Sequence, residues 1–89
     1  MATGTPETPV PVMAAWPNPV RDIVTVRLAD IQNTTLRLFD ISGKEVLVAF
    51  PETELTRMNL ANLFDGVYLL TVSKGGQIVS RQRVVKITG

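Results

Sequence analysis

Val67-Tyr68-Leu69-Leu70-Thr71-Val72 is the run on which the reading of this chain turns. It is rich in β-branched and aromatic residues, which fit a pleated surface, and it is too short for a stable helix. Asp65-Gly66 precedes it and Lys74-Gly75-Gly76 follows it, and both are turn signals. Apolar side chains on both faces are what a central strand covered on both sides requires. The expectation is a central strand over 67–72, a glycine hairpin, and a long mixed last strand over 77–87. In that last strand Ile78 or Val79, Val84, Val85 and Ile87 supply the apolar contacts.

Upstream, the same period of two recurs. Residues 23–28 place Val24, Val26 and Leu28 on one face and Ile23, Thr25 and Arg27 on the other, as a half-buried strand does. Polar residues 30–34 form a loop. Residues 35–41 form the next strand, with Leu36 and Leu38 inward and Arg37 outward. Ser42-Gly43 is a tight turn in which Gly43 supplies a positive φ. Residues 45–50 return from it, with Val46 and Val48 on one side. Residues 51–54 form a loop, and 55–60 a weaker strand carrying Met58 and Leu60 inward. Residues 59–64 also fit a single helical turn, and the sequence leaves that choice open. Trp16-Pro17-Asn18-Pro19 is a corner, because each proline fixes its own φ and pushes the residue before it into an extended form. Residues 10–16 fit an extended segment that Pro11 confines to a sheet edge.

No segment of ten or more residues carries the i, i+3, i+4 pattern of an amphipathic helix. About seven short strands separated by turns, on about 80 ordered residues, predict an all-β fold: an immunoglobulin-like antiparallel β-sandwich. Residues 1–10, with Thr3, Gly4, Thr5, Pro6, Thr8 and Pro9 close together, read as a flexible linker, and 11–89 as the sandwich.

Composition excludes several functions. With 89 residues the chain is one domain, burying a little over about 60% of its unfolded surface. Its 45% hydrophobic content is enough for one core. A net charge of +1 offers no clustered basic surface for nucleic acid and no polybasic membrane patch. There is no Cys, so packing alone must hold the domain. There is no His either, which removes zinc sites of the usual kind and Ser–His or Cys–His nucleophiles. Asp22, Asp30, Asp40, Glu45, Glu52, Glu54 and Asp65 fall mostly at expected turns. A hydrolytic pair would need two carboxylates facing one cleft, for which a filled 89-residue sandwich has little room. No EF-hand-like loop is present. The expectation is a chain with no cofactor and no catalysis. Apolar runs fall far short of the roughly 20 residues that span a bilayer, so no direct membrane insertion is expected. No basic region followed by an apolar stretch opens the chain, so the residues alone fit either a cytosolic protein or a piece of a larger precursor.

Four features in order carry a resemblance. They are Trp16-Pro17-Asn18-Pro19 with Asp22 and an alternating strand, Leu38-Phe39-Asp40-Ile41-Ser42-Gly43-Lys44, Leu60 to Tyr68 with its Leu63-Phe64-Asp65-Gly66-Val67-Tyr68, and Arg83-Val84-Val85-Lys86. None is specific alone. As an ordered set over residues 16–86 they resemble the type A C-terminal sorting domain of the type IX, or Por, secretion system.

The resemblance implies that the domain ends a secreted precursor delivered to the periplasm by an N-terminal signal peptide. The outer-membrane translocon and its shuttle barrel recognise the folded domain. A cell-surface sortase removes it at the upstream linker and attaches the fused N-terminal cargo to anionic lipopolysaccharide. An accessory binding module or a spacer of a multidomain secreted protein is the alternative.

The recognition candidates are Trp16, Pro17, Asn18, Pro19, Gly43, Lys44, Gly66, Tyr68, Arg81, Arg83 and Lys86. Each also has a purely structural role. Trp16 reads as a lid over one end of the core, and Asn18 as a turn former. Tyr68 reads as a core residue with its hydroxyl bonded locally, and Gly43 and Gly66 as backbone requirements. Arg81, Arg83 and Lys86 read equally as a positive stripe for a partner and as guards of an exposed strand edge. An edge along the last strand also offers backbone groups for β-augmentation.

Overall fold

The computed structural model describes residues 12–88. The linker expected over 1–10, with Pro11 and Gly89, lies outside the described residues. Seven strands follow in order: β1 (Met13–Trp16), β2 (Ile23–Leu28), β3 (Thr34–Phe39), β4 (Glu45–Ala49), β5 (Leu55–Asn59), β6 (Gly66–Lys74) and β7 (Gln77–Lys86). They form a three-stranded sheet, β1-β2-β5, and a four-stranded sheet, β4-β3-β6-β7. All strand pairs are antiparallel. This is the expected sandwich. It differs from the constant-type immunoglobulin arrangement in that β4 sits beside β3, in the sheet of β6 and β7.

The core forms because the period-two pattern gives each sheet one apolar face. Met13, Val24, Val26, Leu28 and Met58 come from the first sheet. Leu36, Leu38, Tyr68, Leu70, Val72 and Val84 come from the second. Val20 and Leu60, from connections, close one end and are fully buried. Gly75 and Gly76 have φ of +58° and +88° and join β6 to β7 as a two-residue hairpin, Lys74 pairing with Gln77. Two consecutive positive φ values match the twist of the flanking strands, which only glycine or Asn/Asp adopts at low cost. The choice left open at 59–64 resolves as a non-helical turn, in which the Leu63 amide donates to the Leu60 carbonyl at 2.9 Å.

Two expectations fail for physical reasons. Val46 and Val48 do not share a face. The register between β3 and β4 shifts between Leu38 and Phe39, so Leu38 pairs with Leu47 but Phe39 with Glu45, and Val46 is the extra residue. A bulge of this kind resets the alternation. Leu47 and Ala49 then pack toward the core with Val46, and Val48 is exposed opposite Arg37. β6 is central, between β3 and β7, yet the first half of its outer face is left open. Val67 and Leu69 remain 40% and 38% exposed. Two sheets make two layers, so among the described residues no third layer covers an outer face, and only side chains of the same sheet can do so. Farther along the same face Thr71 and Ser73 are buried, because Arg37 lies across them with Nη1 3.5 Å from the Ser73 hydroxyl.

Candidate recognition site

The motifs, far apart in sequence, meet at one end of the sandwich. β6 starts there with Gly66 paired to Lys86, and β3 ends there with Phe39 paired to Leu69. Val20 forms an isolated parallel bridge with Lys86. Its amide donates to the Val85 carbonyl at 2.8 Å, and its carbonyl accepts from the Ile87 amide at 2.9 Å. This end is the motif pole. At the opposite pole Met13 pairs with Leu28, the Ala29 amide donates to the Val12 carbonyl at 3.1 Å, and Lys74 meets Asp30 at 2.6 Å. The nine residues of β6 set the poles roughly 26 Å apart.

Asn18 does more than turn the chain. Both Trp16-Pro17 and Asn18-Pro19 are cis. The Asn18 Nδ2 donates to the Arg83 carbonyl at 2.9 Å, and its Oδ1 accepts from the Val85 amide at 2.9 Å. A primary amide presents a donor and an acceptor side by side, as a strand's own backbone does. Asn18 and Val20 therefore occupy the outer edge of β7 from Arg83 to Ile87. Among the described residues, the β-augmentation edge expected over 77–87 is left open in its first half alone.

Tyr68 is buried as expected, and its hydroxyl donates to the Phe64 carbonyl at 2.5 Å. This is the tyrosine corner of immunoglobulin-like sandwiches. Burial first, then the negative charges of Asp40 and Asp65, raise its ionisation above the ordinary phenol value.

The turn at 40–43 is organised by Asp40. Its carboxylate accepts from the Ser42 hydroxyl, from the Ser42 amide at 2.9 Å and from the Lys44 amide at 3.0 Å. Gly43 takes the expected positive φ of +88°. The Lys44 side chain points to solvent.

Two site residues are not where the sequence put them. Lys86 is not part of an exposed stripe. Positions 82, 84 and 86 of β7 face the core, and Lys86 is 3% exposed, with Nζ 3.6 Å from the Asp65 carboxylate. Arg81 and Arg83 alone face outward. Trp16 is no lid. It pairs with Thr25 on the outer face of β1 and is 45% exposed, because the lid position is filled by Val20 and Leu60.

The model of the secretion system C-terminal sorting domain family, the Por secretion tail, matches residues 14–86. The chain belongs to this family. The sorting domain is a C-terminal signal for type IX secretion, and such a signal directs export to the cell surface or the extracellular space. A search of curated proteins found no match. Among the described residues of the sorting domain, no three His, Cys, Asp or Glu side chains gather into a metal-holding group. Nor, among them, is any helix long and apolar enough to cross a membrane.

Three carboxylates of the sorting domain titrate below the ordinary range. The Ser42 hydroxyl and then the Lys44 amide hold Asp40 down. The Thr88 hydroxyl and amide do so for Asp65, with Lys86 adding less. The Lys74 ammonium and then the Gln32 amide do so for Asp30. A native value below the unfolded one means that the unfolded chain binds more protons, so stability falls as pH falls. For Tyr68 the sign reverses, and stability falls as pH rises past the unfolded phenol value. The expected result is a melting temperature flat near neutrality that drops below about pH 4 and again above about pH 10. Thermal melts followed by circular dichroism across that range check it. A flat profile down to about pH 2 would show that these contacts carry no linkage.

Sequence reasoning named Asn18 but missed its partners, quoted Asp65 within a motif without its contacts to Lys86 and Thr88, and missed Val20 altogether. A Pro-Asn-Pro corner signals a turn, and nothing local says that the amide will meet a strand 65 residues later.

Proposed function

We propose that this domain is the export address of a larger secreted precursor, and that the type IX machinery reads it at the motif pole. The carrying observation is that the motifs converge at the pole opposite to the one where the chain enters β1. A folded cargo joined ahead of Val12 stands at the far end and leaves the motif pole accessible. The translocon and its shuttle barrel bind that pole. A surface sortase then cuts ahead of the sandwich and transfers the cargo to lipopolysaccharide. The domain's work is to be bound, and it has no catalytic step of its own. A glycan-binding module would present aromatic rings in a row, whereas the exposed rings here are divided: Trp16 lies on the outer face of the first sheet, Phe64 on the connection into β6, and Phe50 follows β4 toward the opposite pole.

The test is a fusion of the full chain to a periplasm-targeted fluorescent protein in a type IX-competent strain. The reporter is expected at the cell surface, and deletion of residues 77–89 is expected to leave it in the periplasm. Retention of the full-length fusion in the periplasm would refute the reading.

A further inference from the structure

We propose that the groove between the 40–43 turn and the start of β6 docks an apolar, acidic peptide segment of an export-machinery protein. The proposal rests on the export-address reading and locates its contact. The groove has a volume of about 380 Å³ and is walled by Phe39, Ile41, Val67, Leu69 and Tyr68, with Arg83 on its rim. Phe39, Leu69 and Arg83 form one cross-strand row on the outer face of the second sheet. Ile41 is 86% exposed beside it. Large apolar side chains gathered in the open at a concave site mark an interaction surface.

Charge selects the occupant. Among the described residues Arg81 and Arg83 have no carboxylate partner, and both stand on this outer face. The Lys44 ammonium, at the end of the turn, likewise has no carboxylate partner among the described residues. The Asp40 carboxylate in the groove wall keeps its charge, hydrogen-bonded by the Ser42 hydroxyl and by the Ser42 and Lys44 amides, and Arg37 pairs with Glu45 at 3.1 Å. Lys44, Arg81 and Arg83 against Asp40 leave the surroundings of the groove net positive. In an extended peptide, residues i and i+2 point the same way, roughly 7 Å apart. Such a segment seats an apolar side chain in the groove and sets a carboxylate on Arg83. A membrane surface is the poorer fit. Attraction to anionic lipid calls for clusters of about four to eight basic residues, whereas here Lys44, Arg81 and Arg83 share the face with the ionised Asp40.

The experiment places the photoreactive residue p-benzoylphenylalanine at Ile41 in the full chain fused to the exported reporter. Irradiation during export is expected to give an adduct with a machinery protein. The attached peptide, sequenced by mass spectrometry, should carry Asp or Glu within two positions of a large apolar residue. Adduct yield should fall about tenfold with Arg83→Glu, as charge reversal at a docking contact does. It should fall comparably with Leu69→Thr, which keeps a β-branched residue in the strand. Melts of both purified variants control for folding. An adduct with lipopolysaccharide alone, a basic attached peptide, a yield indifferent to Arg83→Glu, or normal export without any adduct would each overturn the groove assignment while leaving the export reading intact. If the unsubstituted fusion is not exported, the export reading fails and this proposal fails with it.

Discussion

Leu70→Ala is expected to lower the unfolding free energy by about 3 kcal/mol, within the roughly 2–5 kcal/mol typical of a large-to-small change at a buried leucine. Leu70 sits in the middle of β6, fully buried, paired with Leu38 on one side and Gln82 on the other. The core it belongs to is built from short strands and has no disulfide behind it. Leu38 comes from β3, which is pinned on both sides by backbone ladders, so it cannot collapse into the space. A small domain has roughly 5–15 kcal/mol of stability in all, and the change removes a large share of it. For a chain of this size the melting temperature should drop by more than about 10 °C. Urea and thermal melts measure both quantities. A loss under about 1 kcal/mol would mean that the inner faces of the two sheets are not packed as described.

Asn18→Ala is expected to cost about 1–2 kcal/mol. Two hydrogen bonds are lost, each worth about 0.5–1.5 kcal/mol net, and their exposure to water keeps the sum in the lower part of that range. The effect is local as well as global. The Val85 amide loses its acceptor, so its hydrogen exchange should accelerate well beyond what the drop in global stability explains. Asn18→Asp separates the two bonds. An aspartate still accepts from the Val85 amide, but it turns a second oxygen toward the Arg83 carbonyl and has no proton to donate. At neutral pH it should be at least as destabilising as alanine. If Val85 exchanges equally slowly in the wild type and in Asn18→Ala, the amide clasp is not what protects the edge of β7.

The reach of sequence reading is clear at particular residues. Val24, Val26 and Leu28 face the core as the alternation says, because side-chain direction in a strand is set residue by residue by the pleat. Gly43 and the Gly75-Gly76 hairpin are equally local, since a positive φ is a property of one residue and its immediate neighbours. Such local rules, repeated over seven short runs, were enough for an antiparallel sandwich, and the ordered motifs were enough for the family. Tertiary structure alone decided the rest. One extra residue at Val46 inverted the pattern of β4, a count that depends on how β3 pairs with it. Lys86 turned inward because, past a bulge at Val79, β7 kept one register with β6 from Ser80 to its end, and Asp65 was there to meet it. Asn18 became a clasp, and Phe39, Val67 and Leu69 became a groove, through contacts between strands distant in the chain. Periodicity states which way a side chain points, and only the pairing of strands states what it points at.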